Sequence, residues 1–309
     1  MAKRLSTKEL LRDFENYHEA VRGHSHSTST RYRMDVSGFL QWLNKQHGVK
    51  NKGDVVSLKR LSSIKRTDIY EYLSWASNTQ KASAATRARR IASLRSFFNY
   101  LTESTGLLDN NPTIGIRTPK IPKRLPIHLS QEQSKMLLNL PRDNLAIRDR
   151  TILMLFLTCG LRISELSGLD MDRVYQDSVK VIGKGNKERL LFFSEGLTNQ
   201  MSEYLSYRME LRPKKGHEKA LFLSFRRQRL SVRGIQGMLK RRLEEAGLSS
   251  LGCSPHKLRH TAATLMLQNG VDIRVISEVL GHENLGTTQI YTHVRSEDKQ
   301  KAADSIKLV

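Results

Sequence analysis

The sequence predicts a mainly α protein: a helical N-terminal domain, a basic proline-rich connection, and a mostly α second domain with one small β-hairpin. Three observations predict it. Apolar residues recur at helical spacing through most of the 309 residues. Four of the seven prolines gather between Pro112 and Pro126, where helical periodicity stops. One stretch, "SVKVIGKGNKERLLFF", alternates on both sides of a Gly-Lys-Gly-Asn turn, as a hairpin does. The expected boundaries are 1–111 for the first domain, 112–126 for the linker and 127–309 for the second domain.

The elements follow in order. "STKELLRDFENYHEAV" offers Ser6 or Thr7 as a cap, with Leu10, Leu11, Phe14 and Tyr17 on one face. "STRYRMDVSGFLQWLNKQHG" repeats the pattern with Tyr32, Val36, Phe39, Leu40 and Leu43. Thr67 or Asp68 opens "IYEYLSWAS". Ser83 opens a helix that turns Ile91, Leu94, Phe97, Phe98 and Leu101 inward and clusters Arg87, Arg89, Arg90 and Arg95 near its start. In the linker, Arg117, Lys120, Lys123 and Arg124 make an extended basic segment suited to following a phosphate backbone. Beyond Ser130, "SQEQSKMLLNL" and "NLAIRDRTILMLFLTCG" read as helices, the second closed by Gly160. After the hairpin come the helix "EGLTNQMSEYLSYRMELR", a short strand "ALFLS", a helix over 231–246 with Lys240 and Arg241 on its basic flank, "PHKLRHTAATLMLQNG", and "DIRVISEVLG".

Charge narrows the function. Fifty-two Lys and Arg against 30 Asp and Glu give +22, with a pI of about 10.2. Residues 1–118 hold 20 basic and 10 acidic side chains and the remainder 32 and 20, so both domains can face one polyanion, nucleic acid first. Two cysteines provide neither a disulfide framework nor a zinc set and fit a reducing cytoplasm. "MAKRLSTKELL" lacks a signal-peptide core, and no apolar run approaches the ~20 residues that span a bilayer, so no membrane partner is expected.

The chemistry concentrates in four stretches. "HKLRH" sets His256 and His260 at i and i+4, which invites a metal. A zincin helix needs Glu after the first histidine; here Lys257 stands there, Arg259 lies inside the span, and no Cys or carboxylate completes a ligand set. No metal or other cofactor is expected. A phosphate fits better: His256 and Arg259 lie one turn apart in the first turn of a helix, where free N–H groups favour an anion. His260 beside them reads as a histidine that braces the helix. "TCGLRISELSGL" places Arg162 at a helix start with Glu165 three residues on, able to orient the arginine or a nearby histidine. "VIGKGNKERL" sets Lys184 on a hairpin tip, from which it can reach into a groove and protonate a departing oxygen; Lys187 is its rival. In "VLGHENLGTTQIYTHV", His282 follows a glycine at a helix end and Tyr291 lies nine residues on.

Taken together, "GLRISEL", "GKGNKER", "HKLRHTAAT" and "LGHENLGTTQIYTHV" resemble the tyrosine recombinase (phage-integrase-like) family, and within it the Xer-type site-specific recombinases. The resemblance covers nearly the whole chain and implies a core-binding (SAM-like) N-terminal domain and a catalytic C-terminal one. It implies Tyr291 as nucleophile, Arg162 and Arg259 as holders of the scissile phosphate, Lys184 as general acid for the leaving 5′ oxygen, His256 as an aid to proton transfer at the tyrosine, His282 as a hydrogen-bonder to the phosphate, and Glu165 in support. Leu265 departs from the family, where many Xer-like sequences carry histidine. The implied partners are double-stranded DNA, a homo- or hetero-tetramer assembled on it with the tail "SEDKQKAADSIKLV" docking on a neighbour, and a septal DNA translocase.

Elementary chemistry agrees. A pentacoordinate phosphorane adds charge to an anion, which two guanidiniums, an imidazole and a helix terminus can stabilise without a metal. A phenol of pKa near 10 is scarcely ionised at neutral pH, and nearby cations and a base lower that barrier. A type IB topoisomerase-like enzyme shares the chemistry, but the helical N-terminal domain and "LGH…TTQIYTHV" argue against it. The intact set of candidate residues argues against a non-catalytic DNA-binding regulator.

Overall fold

The computed structural model describes residues 4–46, 55–121, 128–139, 143 and 145–281. The chain divides into two compact units, Met1–Lys123 and Arg124–Val309. Among the described residues there are twelve α-helices and two two-stranded antiparallel sheets. No described helix is long and apolar enough to cross a membrane.

The first unit is built from α1 (Thr7–Ala20), α2 (His26–Gln46), α3 (Leu58–Ser62), α4 (Arg66–Asn78) and α5 (Ala84–Asn99). Ser6 and Ser83 cap α1 and α5 by accepting from the amides of Glu9 and Thr86, each cap contributing about 1 kcal/mol. The predicted faces meet: Phe14, Phe39, Ile69, Leu94, Phe97 and Phe98 are fully buried in one core. Helix α2 begins at His26, before Ser29, and α4 begins at Arg66. Two strands escape the periodicity, β1 (Arg4–Ser6) and β2 (Val55–Ser57), which pair antiparallel. Three residues are too few to show alternation, and the partner lies some fifty residues away. Ile116 is also buried in this core and its carbonyl accepts from Arg95 at 2.9 Å, so the segment read as a linker starts as part of the first unit.

The second unit centres on α7 (Ala146–Met154), which widens into a π-helical turn over Leu155–Cys159 and stops at Gly160 in the left-handed conformation. Ile152, Leu153, Leu155 and Phe156 are fully buried. Around them lie α6 (Gln131–Leu138), α8 (Ile163–Ser167), α9 (Glu195–Glu210), α10 (Val232–Glu245), α11 (Pro255–Gln268) and α12 (Ile273–Leu280). The hairpin forms as expected from β3 (Ser178–Ile182) and β4 (Glu188–Phe192), with Val179, Val181 and Leu191 buried. "ALFLS" is not a strand: Ala220 and Leu223 make only isolated bridges, to Asp170 and Arg229. The carbonyls there are taken up instead by Arg208, whose Nε and Nη2 donate to Ala220 at 3.1 and 2.9 Å.

Candidate active site

The site starts where α7 ends. Gly160 has φ +60°, and a Cβ there would lie 2.4 Å from Leu280 Cδ2, so only glycine lets α12 approach so closely. The turn delivers Arg162 to the N-cap of α8. Its amide and Nη1 both donate to Glu165, to Oε2 and Oε1, at 2.8 Å each. Its Nη2 donates to the Gly281 carbonyl at 3.0 Å. The Arg162 side chain remains 37% exposed while Glu165 is 3% exposed.

Glu165 has a second partner that sequence reasoning missed. Arg189 grips both its oxygens, Nη1 to Oε1 at 3.0 Å and Nη2 to Oε2 at 2.8 Å, and Nε donates to the Val279 carbonyl at 3.0 Å. Burial alone would raise the Glu165 pKa; hydrogen bonds from Arg189 and from Arg162 outweigh it and hold the carboxyl below its ordinary range. The missed signal is strand alternation. Leu191 points inward on β4, so Arg189, two residues earlier and paired with Val181, does too.

Helix α11 brings the next set. Pro255 occupies its first turn and Ser254 caps it by accepting from Lys257 N. Arg259 is buried; its Nη1 donates to the Gly160 carbonyl at 2.6 Å and its Nη2 to the Leu280 carbonyl. Three arginines thus donate to three consecutive carbonyls, 279, 280 and 281, at the end of α12. Unsatisfied carbonyls and the negative end of the helix dipole gather the cations there.

His256 is exposed, with Nε2 3.1 Å from Nε2 of His260, so one ring donates and the other accepts. Burial first, then Arg259 and Arg162, lowers the His256 pKa; burial, His256, Arg259 and His128 lower that of His260 to about 4. Both rings are therefore neutral at pH 7, able to accept a proton. Lys184 lies in the turn between β3 and β4. His282 and Tyr291 lie outside the described residues, so the described part of the site comprises Arg162, Glu165, Arg259, His256 and Arg189.

The basic residues considered for DNA contact differ in their side-chain partners. Arg87 donates to Ser77 and Ala82, Arg89 to buried Asp35, and Arg90 to Gln80 while lying over the Tyr72 ring. Arg95 and Lys120 are exposed, though Arg95 holds the Ile116 carbonyl. Lys123 and Arg124 lie outside the described residues. Lys240 is exposed near Glu244, whereas Arg241 pairs with Asp149 at 2.9 Å.

Comparison with known proteins matches the chain to a family. Residues 128–298 match the phage integrase family and residues 11–104 its N-terminal SAM-like domain. Tyrosine recombinase XerC of Caldanaerobacter subterraneus subsp. tengcongensis is 41% identical over 307 residues, covering 96% of this chain and 86% of that one. Tyrosine recombinase XerD of Oceanobacillus iheyensis is 35% identical over 288 residues, covering 92% and 93%. Among solved structures, XerH recombinase bound to its difH substrate before cleavage shares the fold with a TM-score of 0.71 at 22% identity, covering 97% of this chain and 84% of that one. The Tn1549 transposon integrase with circular-intermediate DNA does so with a TM-score of 0.71 at 18% identity, covering 97% and 99%. The chain belongs to the phage integrase family of tyrosine recombinases and, within it, to the Xer-type site-specific recombinases.

Proposed function

We propose that this chain cuts and rejoins duplex DNA at a specific site by metal-free transesterification. The observation that carries the reading is the arginine cluster: Arg162, Arg189 and Arg259 converge on the carbonyls at the end of α12, and among the described residues Arg162 and Arg189 have one carboxylate, Glu165, between them. Such an excess of fixed donors in a partly buried site suits a phosphodiester and suits its more highly charged transition state better.

In the proposed step the Tyr291 oxygen attacks phosphorus and the bond to the 5′ oxygen breaks. The phenol proton passes to neutral His256, and Lys184 protonates the departing oxygen as a 5′-hydroxyl. A 3′-phosphotyrosyl bond conserves the linkage energy, so no nucleotide cofactor is needed. Arg162, Arg259 and His282 hold the phosphate, and Glu165 orients Arg162. A 5′-hydroxyl from a second duplex attacks in reverse and releases the tyrosine. Two such rounds, by paired protomers of a tetramer on two duplexes, pass through a Holliday junction.

The XerH and Tn1549 integrase complexes, both on DNA, support duplex DNA as partner. In a cytoplasmic setting the reaction would serve chromosome dimer resolution, with a septal DNA translocase as activator, or integration and excision of a mobile element. Phosphate contacts dominate binding, with exposed Arg95, Lys120 and Lys240 among the candidates. The test is incubation with a nicked suicide duplex carrying a candidate site. A covalent adduct that vanishes in Tyr291→Phe is expected; an adduct that persists in that variant rules out the assigned nucleophile.

A further inference from the structure

The arrangement around Glu165 bears on Arg189, which has no step in the proposed strand transfer. Two guanidiniums share one buried carboxylate, Arg162 through Oε1 and its amide through Oε2, Arg189 through both oxygens. A carboxylate offers about four acceptor sites, and these four bonds fill them. Arg162 therefore holds only a share of the negative charge. Arg189 is 13% exposed and wedged under two glycines: a Cβ on Gly281 would lie 3.1 Å from its Nη1, and one on Gly183 3.5 Å. Gly183 precedes Lys184 and Gly281 precedes His282, so one guanidinium lies against the segments leading into two candidate catalytic positions.

We propose that Arg189 is a positioning residue for strand cleavage, which keeps Glu165 from neutralising Arg162 and locks the Lys184 hairpin to the end of α12. This rests on the phosphoryl-transfer reading above. Without Arg189, Glu165 would become the private counter-ion of Arg162 and compete with the DNA phosphate for its donors. The charge of the trio would fall by one at the point where an anion must bind.

The experiment measures single-turnover cleavage of the suicide duplex at saturating DNA, with duplex affinity measured separately. Arg189→Met is expected to slow cleavage about 100-fold, as a misaligned clamp does, with affinity little changed because most contacts lie elsewhere. Arg189→Lys restores the charge without the fork and is expected between wild type and Met. Adding Glu165→Gln to Arg189→Met returns the trio to its original net charge and is expected to recover the rate severalfold. A packing defect would not be relieved by a second buried substitution. Arg189→Gln replaces Met if the latter fails to fold. Wild-type cleavage by the neutral variants would overturn the proposal. So would a Lys variant as slow as Met with no recovery in the double variant. If wild-type protein itself forms no adduct, the functional reading fails instead, a separate result.

Discussion

The second unit contains two arginine clusters built from the same chemical parts. In one, Arg148, Arg241 and Arg242 meet Asp143, Asp149 and Glu245, three cations on three carboxylates. Arg242 and Asp149 are wholly buried, and Asp149 accepts from all three arginines. In the other, Arg162 and Arg189 share Glu165 and also donate to the Gly281 and Val279 carbonyls, while Arg259 donates to the Gly160 and Leu280 carbonyls. Carbonyl contact alone does not separate them, since Arg148 also holds the Leu223 carbonyl at 2.8 Å. Balance does. Among the described residues, the first cluster sets three cations against three carboxylates, whereas the second sets Arg162 and Arg189 against Glu165 alone.

Substitutions should split these clusters by what they damage. Arg242→Met leaves Asp149 short of a buried partner and is expected to cost about 3–5 kcal/mol, lowering the Tm of the second unit by roughly 10 °C. Cleavage per folded molecule should not change; calorimetry together with the adduct assay checks both. Arg162→Met should do the reverse, lowering cleavage about 10²–10³-fold at nearly constant Tm. A large Tm loss in that variant would erase the distinction.

Gly160→Ala should fall between. Its Cβ displaces Leu280, so an overpacking cost of about 1–3 kcal/mol is expected, with a larger relative loss of cleavage because the carbonyls that orient the arginines move. The smallest effect lies in the first unit. His18 is buried against Phe14, bonded to Ser96 and His24, and its pKa is lowered to about 4 by burial first, then by His24 and Arg22. The folded state thus binds fewer protons than the unfolded one between pH 4 and about 6.5, so stability rises with pH across that window and is lost on acidification. Trp42 and Trp75 are the protein's two tryptophans, and both lie in this unit, so their fluorescence in urea reports it alone. His18→Gln should flatten the pH dependence.

Much of this was legible in the sequence. Helical periodicity located the longer helices because each buries a face, though not the five-residue α3, and Ser6, Ser83, Pro255 and Gly160 mark the ends as capping chemistry requires. The pairing of Arg162 with Glu165 follows from their spacing on one helical turn. What the sequence hid was long-range. β1 and β2 are too short to show a period, and Arg189 reaches Glu165 across 24 positions. Arginines read as a basic rim, such as Arg89, turned out to satisfy buried carboxylates like Asp35. A lone charge on an inward strand position was the cue for Arg189; for Arg89 no local cue existed, since its partner lies 54 residues away.

The most direct test removes the charge that the unbalanced cluster is held to meet. A suicide duplex with a neutral methylphosphonate at the scissile position is cleaved by wild type and by Arg162→Met, beside the ordinary phosphate. The ratio of wild-type to variant rates, about 10²–10³ on phosphate, should shrink markedly on the neutral linkage, because the substrate then carries no charge and its phosphorane carries one negative charge fewer. An undiminished ratio would mean that Arg162 acts by shaping the fold, and that the two clusters do not differ in the way described.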